Sequence, residues 1–467
     1  MFAALAIATP ALGVWIASSL AAYFDGPLWL ALLAGALCFP ILPLGWDALA
    51  GMRARRRNPN RTPVLTRLDR LILRTLAINV AFVGGLLAVY PTTVFSALSE
   101  RGDWMLDEET QPWATKARSV LHAAADRMQW LHELTHPNAY EALIDPEATG
   151  ESLDVSNADE WAQHVQRRPP KHEDGAPNPD DVFQRDAWPF VAELHPLVVA
   201  IPPEHEGSVE AIGRYFAERE GDPVQRLKAV HDYVADRIAY DVPAFETMTF
   251  PPQDAATVLR SGKGVCAGYA QLVKALGEAA GLEVVVVVGK TRYWGDLGHA
   301  WNAAKAGGKW YLLDATWDAG GVADHAFTKR YSSWYLMTPP DAFLTTHIPD
   351  DDKWQLREDP ISLGEFMRRP DLQPEFYAWG LELRSPERGQ VQTSSDTIAV
   401  ELANPNGFRV AAQIYPGQKP GKDTEHCRAN ADYTELQCPI KAQGPSVIVL
   451  FGPDRRSMGK VHLTRSP

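Results

Sequence analysis

Gly264–Lys290 reads GVCAGYAQLVKALGEAAGLEVVVVVGK, and after a short polar loop Gly298–Asp318 reads GHAWNAAKAGGKWYLLDATWD. Three residues in these stretches, Cys266, His299 and Asp314, can form one reacting centre. A thiol attacks a carbonyl as thiolate, a form favoured by a helix N-terminus and a neighbouring imidazolium. From Cys266 to Ala280 the apolar residues Tyr269, Leu272, Val273 and Leu276 recur at helical spacing, which predicts the sulfur in the first turn, where free amide groups favour negative charge. Glu283–Val288 is a β-branched run that reads as a buried strand, and 299–304 and 310–314 read as two strands of a hairpin turning at Gly307 and Gly308. His299 then begins one strand and Asp314 ends its antiparallel neighbour, so both side chains fall at the same end of the sheet.

A lone cysteine on an apolar helix is usually a small buried hydrophobe, and the reading rests on the three residues together. The motifs Gly264-Val265-Cys266-Ala267-Gly268-Tyr269, His299-Ala300-Trp301-Asn302 and Trp310 through Asp318 resemble, in order and separation, the transglutaminase-like superfamily. The resemblance implies an α+β, papain-like core with a Cys-His-Asp triad. Phe343–Pro349 (FLTTHIP), Trp354-Gln355-Leu356 and Ile361–Leu383 resemble the segment that follows the core in the kyphoscoliosis peptidase branch, so the similarity covers roughly 209–383. It implies that Cys266 attacks an amide carbonyl, that His299 moves the proton and that Asp314 orients the imidazole. The Cys266 N–H supplies one oxyanion donor; Gln253 is the nearest glutamine upstream that could supply a second. Tyr240, after a predicted helix, is a candidate pocket wall, as are Trp301 and Trp317, for which core packing is the alternative.

At 467 residues, 46% of them hydrophobic, the chain predicts two or three units. A formal net charge of -13 argues against a nucleic-acid partner. The sequence has no CxxC and no glycine-rich phosphate loop; HELTH at 132–136 matches the HExxH string, which points to a metal only where it lies on a helix. Neither a metal nor a cofactor is implied.

The N-terminal hundred residues read as a membrane anchor. Met1–Phe24, Gly26–Trp46 and Thr75–Ser99 carry no charged side chain, and each is near the ~20 residues that cross a bilayer as a helix. A cleavable signal peptide is the alternative for the first, though it lacks a basic start and a second apolar stretch follows at once. Between the second and third lie Arg53, Arg55, Arg56, Arg57, Arg61, Arg67, Arg70 and Arg74, a pattern that stays cytoplasmic. Three crossings from a cytoplasmic N-terminus place everything after Ser99 outside the cytoplasm, periplasmic or extracellular. There Cys427 and Cys438 can pair as a disulfide, with two free thiols as the alternative.

The expected organisation is a three-helix anchor at 1–100, an amphipathic helical segment at 101–136, a linker at 137–190, the catalytic core with its extension at 191–375 and a small β-sandwich at 376–467. Thr115–Leu134 carries one apolar face. The linker is rich in Pro, Asp, Asn and Gly, including RRPPKHEDGAPNPDD at 167–181, and an ordered lid is its alternative. Ser208 and Asp222-Pro223 read as starts of helices that cover the core, the second carrying His231 as a packed or surface residue. The expected function is a membrane-anchored thiol peptidase or amidase acting on extracytoplasmic proteins or peptides. A transglutaminase that cross-links proteins and a non-catalytic scaffold of the same fold are the alternatives.

Overall fold

The computed structural model describes residues 2–24, 26, 28–57, 65–107, 109, 111–129, 138–144, 153–154, 188–292 and 298–465. Within the core, the cysteine helix Cys266–Ala279 packs on an antiparallel sheet of β1 (Glu283–Thr291), β2 (His299–Ala306), β3 (Lys309–Leu313) and β4 (His347–Pro349), in the spatial order β4-β1-β2-β3. The β-branched run of β1 suits a strand covered by a helix. The hairpin between β2 and β3 turns at Gly307 and Gly308, both at positive φ, which glycine adopts without a Cβ penalty.

Helices Val209–Arg219 and Pro223–Arg237 lie against the cysteine helix and begin as predicted. Ser208 Oγ accepts from Ala211 N, and Asp222 Oδ1 accepts from Val224 N with Pro223 in the first turn. They close one core around Ile212, Phe216, Leu227, Val230, Leu272 and Leu276, all with no exposed surface. His231 is buried here and contacts two carboxylates, with Nδ1 3.1 Å from Asp232 Oδ1 and Nε2 3.2 Å from Asp318 Oδ2.

Beyond the core, Leu372, Phe376, Val400, Ile414, Leu436, Ile448 and Val461 form a separate buried cluster between two sheets. One sheet is built on the strands Ala411–Pro416, Gly444–Phe451 and Ser457–Arg465, the other on Thr397–Ala403 and Glu435–Pro439. Alternating burial along Glu435–Pro439 matches the period of a strand with one face in the core. Cys427 and Cys438 are bonded to one another in this module, and Cys38 and Cys266 are free.

Near the N-terminus, two helices among the described residues are long and apolar enough to cross a membrane, Trp29–Ala54 and Arg67–Val89. Only 22% and 11% of their apolar windows are buried, unlike the core helix of a soluble domain. A 22-residue helix, Phe2–Tyr23, packs beside them. The expected third span, Thr75–Ser99, is divided. Its helix begins at Arg67 under a Thr66 capping box and ends at Val89, because Pro91 cannot continue the hydrogen-bond ladder and starts a new helix, Pro91–Arg101. Arg67, Arg70 and Arg74, read as loop residues, lie on the first turns of the span and pair with Asp47 of the other.

Pro91–Arg101 is buried. Phe95 packs with Ile348 of β4 and with Ile361, Leu363 and Phe366 of the extension. Arg368 Nη1 donates to Ser99 O at 3.2 Å, and Arg388 Nη1 donates to Asp103 Oδ1 at 3.0 Å. The amphipathic helix is shorter than expected, Pro112–Asp126, and 130–137 lie outside the described residues. Part of the expected linker is ordered against the core. Ala139–Ile144 is a helix, and Leu153–Asp154 pairs antiparallel with Thr249–Phe250. The rest of that segment, 145–152 and 155–187, lies outside the described residues.

Candidate active site

Cys266 opens its helix, as the apolar spacing predicts, and is 1% exposed. No side chain caps this helix; instead Gln253 Oε1 accepts from Val265 N at 3.0 Å, and Gln253 Nε2 donates to Pro251 O at 2.8 Å. Gln253 therefore braces the backbone into Cys266 with both ends of its amide. The Gly268 turn accommodates it: a Cβ there would lie 2.4 Å from Gln253 Oε1. Asn302 of β2 ties the helix to the sheet, donating to Ala270 O at 2.9 Å and Val285 O at 3.2 Å.

His299 and Asp314 meet at the same end of the sheet, since Asn302 pairs with Leu313 and the chains run antiparallel. His299 Nε2 donates to Asp314 Oδ2 at 2.7 Å, and the same ring is within electrostatic reach of the Cys266 side chain. With Nε2 taken by the carboxylate, Nδ1 is the nitrogen left for sulfur. Asp314 Oδ1 accepts from Thr316 N at 2.8 Å and Trp317 N at 3.3 Å, so the carboxylate also caps the short helix Ala315–Ala319. Burial alone would lower the His299 pKa, but the charges of Asp314 and Cys266 and the hydrogen bond to Asp314 prevail and raise it to about 10. For Asp314 the sign is opposite. Burial favours the neutral acid, yet His299 and the hydrogen bonds hold the carboxyl well below the usual carboxylate range. An ionised carboxylate beside a protonated imidazole next to sulfur is the electrostatic state that acyl transfer to a thiol requires.

Residues 210–315, which include all three side chains, match the model of the transglutaminase-like superfamily. The match extends to curated relatives. Kyphoscoliosis peptidase of Mus musculus is 32% identical over 218 residues, 43% of this chain and 32% of the relative, and that of Homo sapiens is 31% identical over the same length. Hillarin of Drosophila melanogaster is 28% identical over 176 residues, 32% of this chain and 22% of the relative. The core belongs to the transglutaminase-like superfamily, in the kyphoscoliosis peptidase branch. The chain spans about a third of the length of the two peptidases it matches.

The transglutaminase-like core presents its histidine to a cavity of about 370 Å³ whose walls include Tyr240, Phe245, Trp317, Phe327 and Trp334. Tyr240 and Trp317 thus lie where pocket residues were expected. Trp301 does not: it is 1% exposed and packs on Phe343 and His347, the core role held as its alternative. A larger cavity, about 910 Å³, lies between Pro339–Ala342 and Glu382–Leu383, and no triad residue lines it.

Two site residues were missed in the sequence. Tyr140, within the expected linker, is 2% exposed and packs in one cluster with Cys266 and Tyr240; burial and the neighbouring Cys266 side chain raise the pKa of its phenol. It is held by Asn138, whose Nδ2 donates to Gly289 O at 2.8 Å and Asp350 Oδ2 at 3.0 Å. Nothing in a Pro- and Asp-rich stretch signals such a long-range contact. The second is His347, whose Nε2 lies 3.2 Å from Asp314 Oδ2. The FLTTHIP motif contains it, so the motif was visible while its meeting with Asp314 was not. The nitrogen and oxygen atoms of His299, Asp314 and His347 lie within 4.8 Å of one another, a spacing that a metal ion could also use. Both nitrogens, however, are directed at one carboxylate oxygen, the pattern of a hydrogen-bonded chain.

Proposed function

We propose that this protein is a membrane-anchored thiol acyl-transfer enzyme of the peptidase or amidase type, acting on proteins or peptides outside the cytoplasm. The observation that carries it is the single imidazole of His299, hydrogen-bonded to Asp314 and electrostatically linked to the Cys266 side chain inside a buried site. In this reading Cys266 adds to the amide carbonyl and His299 delivers its proton to the leaving amine. The Cys266 N–H, at a helix start, faces the developing oxyanion. Water then resolves the acyl-enzyme, and His299 takes the proton back. Similarity to relatives called peptidases favours water over an amine as the acceptor.

The anchor is supported by the two apolar helices, little buried, with arginines at their shared end. The helix Phe2–Tyr23 is joined to the segment after Pro91–Arg101: Trp15 Nε1 donates to Gly102 O at 2.6 Å. Neither a metal nor a cofactor has a part in this reading.

The test uses full-length protein in detergent. A thiol-directed probe, a labelled amine and a protein substrate such as casein are supplied together. Cys266-dependent release of new peptide ends supports the peptidase reading, and incorporation of the amine without cleavage supports a transglutaminase. A protein with neither activity, whose Cys266 reacts no faster than free cysteine, is a scaffold.

A further inference from the structure

Asp314 has more partners than a triad carboxylate needs. Oδ1 takes two backbone N–H groups, and Oδ2 takes both His299 Nε2 at 2.7 Å and His347 Nε2 at 3.2 Å. A carboxylate has about four lone-pair sites, so this one is filled. From this geometry we infer that His347 is a positioning residue for acyl transfer: it fixes the direction of the Asp314 carboxylate and limits how tightly that carboxylate holds the His299 proton. The inference rests on the proposed acyl-transfer reading.

The donor and acceptor roles follow from what surrounds the ring. An ionised carboxylate only accepts, so His347 must carry hydrogen on Nε2. Its Nδ1 lies 2.8 Å from Thr346 Oγ1, whose other acceptor, Phe343 O, is 3.4 Å away. The shorter contact takes the hydroxyl hydrogen and leaves Nδ1 as acceptor. The ring is fully buried among Phe343, Trp317, Trp301 and Tyr335, with centroids 4.3, 4.4, 5.1 and 5.2 Å away.

The titratable groups that face it are Asp314, His299 and Tyr335. Arg292, just past the adjoining strand, turns its guanidinium to the carbonyls of Thr345 and Phe366. Burial in this apolar cage, opposed by Asp314 and aided by His299, keeps the His347 pKa down at about 4. It therefore stays an uncharged donor where His299 is a cation. A second cation here would compete with His299 for the same negative charge, whereas an uncharged N–H directs the carboxylate without cancelling it.

The position is built into the sheet. His347 pairs with Thr291 and Pro349 with Gly289, and Gly289 is where the strands approach so closely that a Cβ would lie 2.1 Å from Ile348 O.

The test is the rate of Cys266 alkylation by iodoacetamide between pH 5 and 11 in the full-length protein. Its upper transition, about 10 in the parent, reports loss of the His299 proton. His347→Phe fills the cage but removes the donor. It should slow alkylation near pH 7 by roughly 10-fold, the scale of one hydrogen bond to a charged group, and move the upper transition upward, because Asp314 then holds His299 more tightly. His347→Gln, which keeps an N–H near the Nε2 position, should restore both. Thr346→Val frees Nδ1 to take the ring proton and should shift the transition the same way as His347→Phe, which serves should that variant fail to fold.

A slower rate with an unmoved transition would mean a packing role only and overturns the inference. A parent whose Cys266 is no more reactive than free cysteine overturns the acyl-transfer reading, and the inference with it. A reactive parent with unaffected His347 variants overturns the inference alone.

Discussion

Cys266→Ala removes the sulfur that His299 contacts and should abolish both alkylation and turnover; Cys266→Ser should be nearly as inactive, because a hydroxyl has a far higher pKa. Any substrate processed normally by Cys266→Ala would overturn the mechanism. His299→Ala should leave a thiol whose labelling rises only toward the ~8.5 of an unperturbed cysteine. Asp314→Asn should keep the most activity of the three, yet still lose much. Its amide has one acceptor oxygen, which can serve the two imidazoles or the N–H groups of Thr316 and Trp317, but not both. With the His299 pKa raised to about 10, turnover by the parent should persist to alkaline pH and fall as pH passes that value. A second buried histidine predicts the pH dependence of stability. Burial pulls the His231 pKa down, but the carboxylates of Asp232 and Asp318 beside it raise it to about 9. This contribution is fully present below the ~6.5 of an unfolded histidine and is lost as pH climbs to about 9. Melting temperatures should therefore decline over that window, and a rise across it would contradict the assignment.

The helix Ala139–Ile144 lies over the nucleophile, with Tyr140 and Leu143 buried in the same cluster as Cys266. Tyr140→Ala should speed alkylation of Cys266 by a bulky maleimide without a comparable effect on small iodoacetamide; equal maleimide rates for parent and variant would mean that another element limits access. This element shows where sequence reading stops. The cysteine helix, β1, and the hairpin joining His299 to Asp314 were legible because each is a local run with its own period, turn residues and caps. Local pattern also fixed the starts after Ser208 and Asp222. Tyr140 and His347 were not, because their partners are more than 30 residues away and neither neighbourhood has a periodic signature. The division of the third apolar stretch was written in Pro91, but the lack of charge up to Ser99 hid it. Hydropathy reports what a helix can cross, and burial by a neighbouring domain answers to the same chemistry.

At the scale of the whole molecule, Phe95 links the membrane-proximal helix to the strand of His347. Phe95→Ala should cost about 3–5 kcal/mol of stability, as a large core side chain replaced by a cavity does. Denaturant titration in detergent measures it, and a change below ~1 kcal/mol would show that the contact is not core-like. The orientation of the chain is tested at Val199, which is 71% exposed on the core. Val199→Cys should react with a membrane-impermeant maleimide added to intact cells, and protection until the cells are opened would place the core inside. In exported protein, reducing Cys427–Cys438 should remove roughly 2–3 kcal/mol, on a chain-entropy view of so short a loop. The docking of Pro91–Arg101 on the extension has one further result. Between the last apolar turn at Val89 and the catalytic sheet, the stretch Pro91–Asp103 is a packed strut, tied by Arg368 to Ser99 and by Arg388 to Asp103. A tether made of loose chain would let the nucleophile sweep a hemisphere; a strut sets its altitude. On the proposed reading of an anchored peptidase, the bilayer then becomes a ruler, and which bonds are cut depends on how far above the lipid a target carries them.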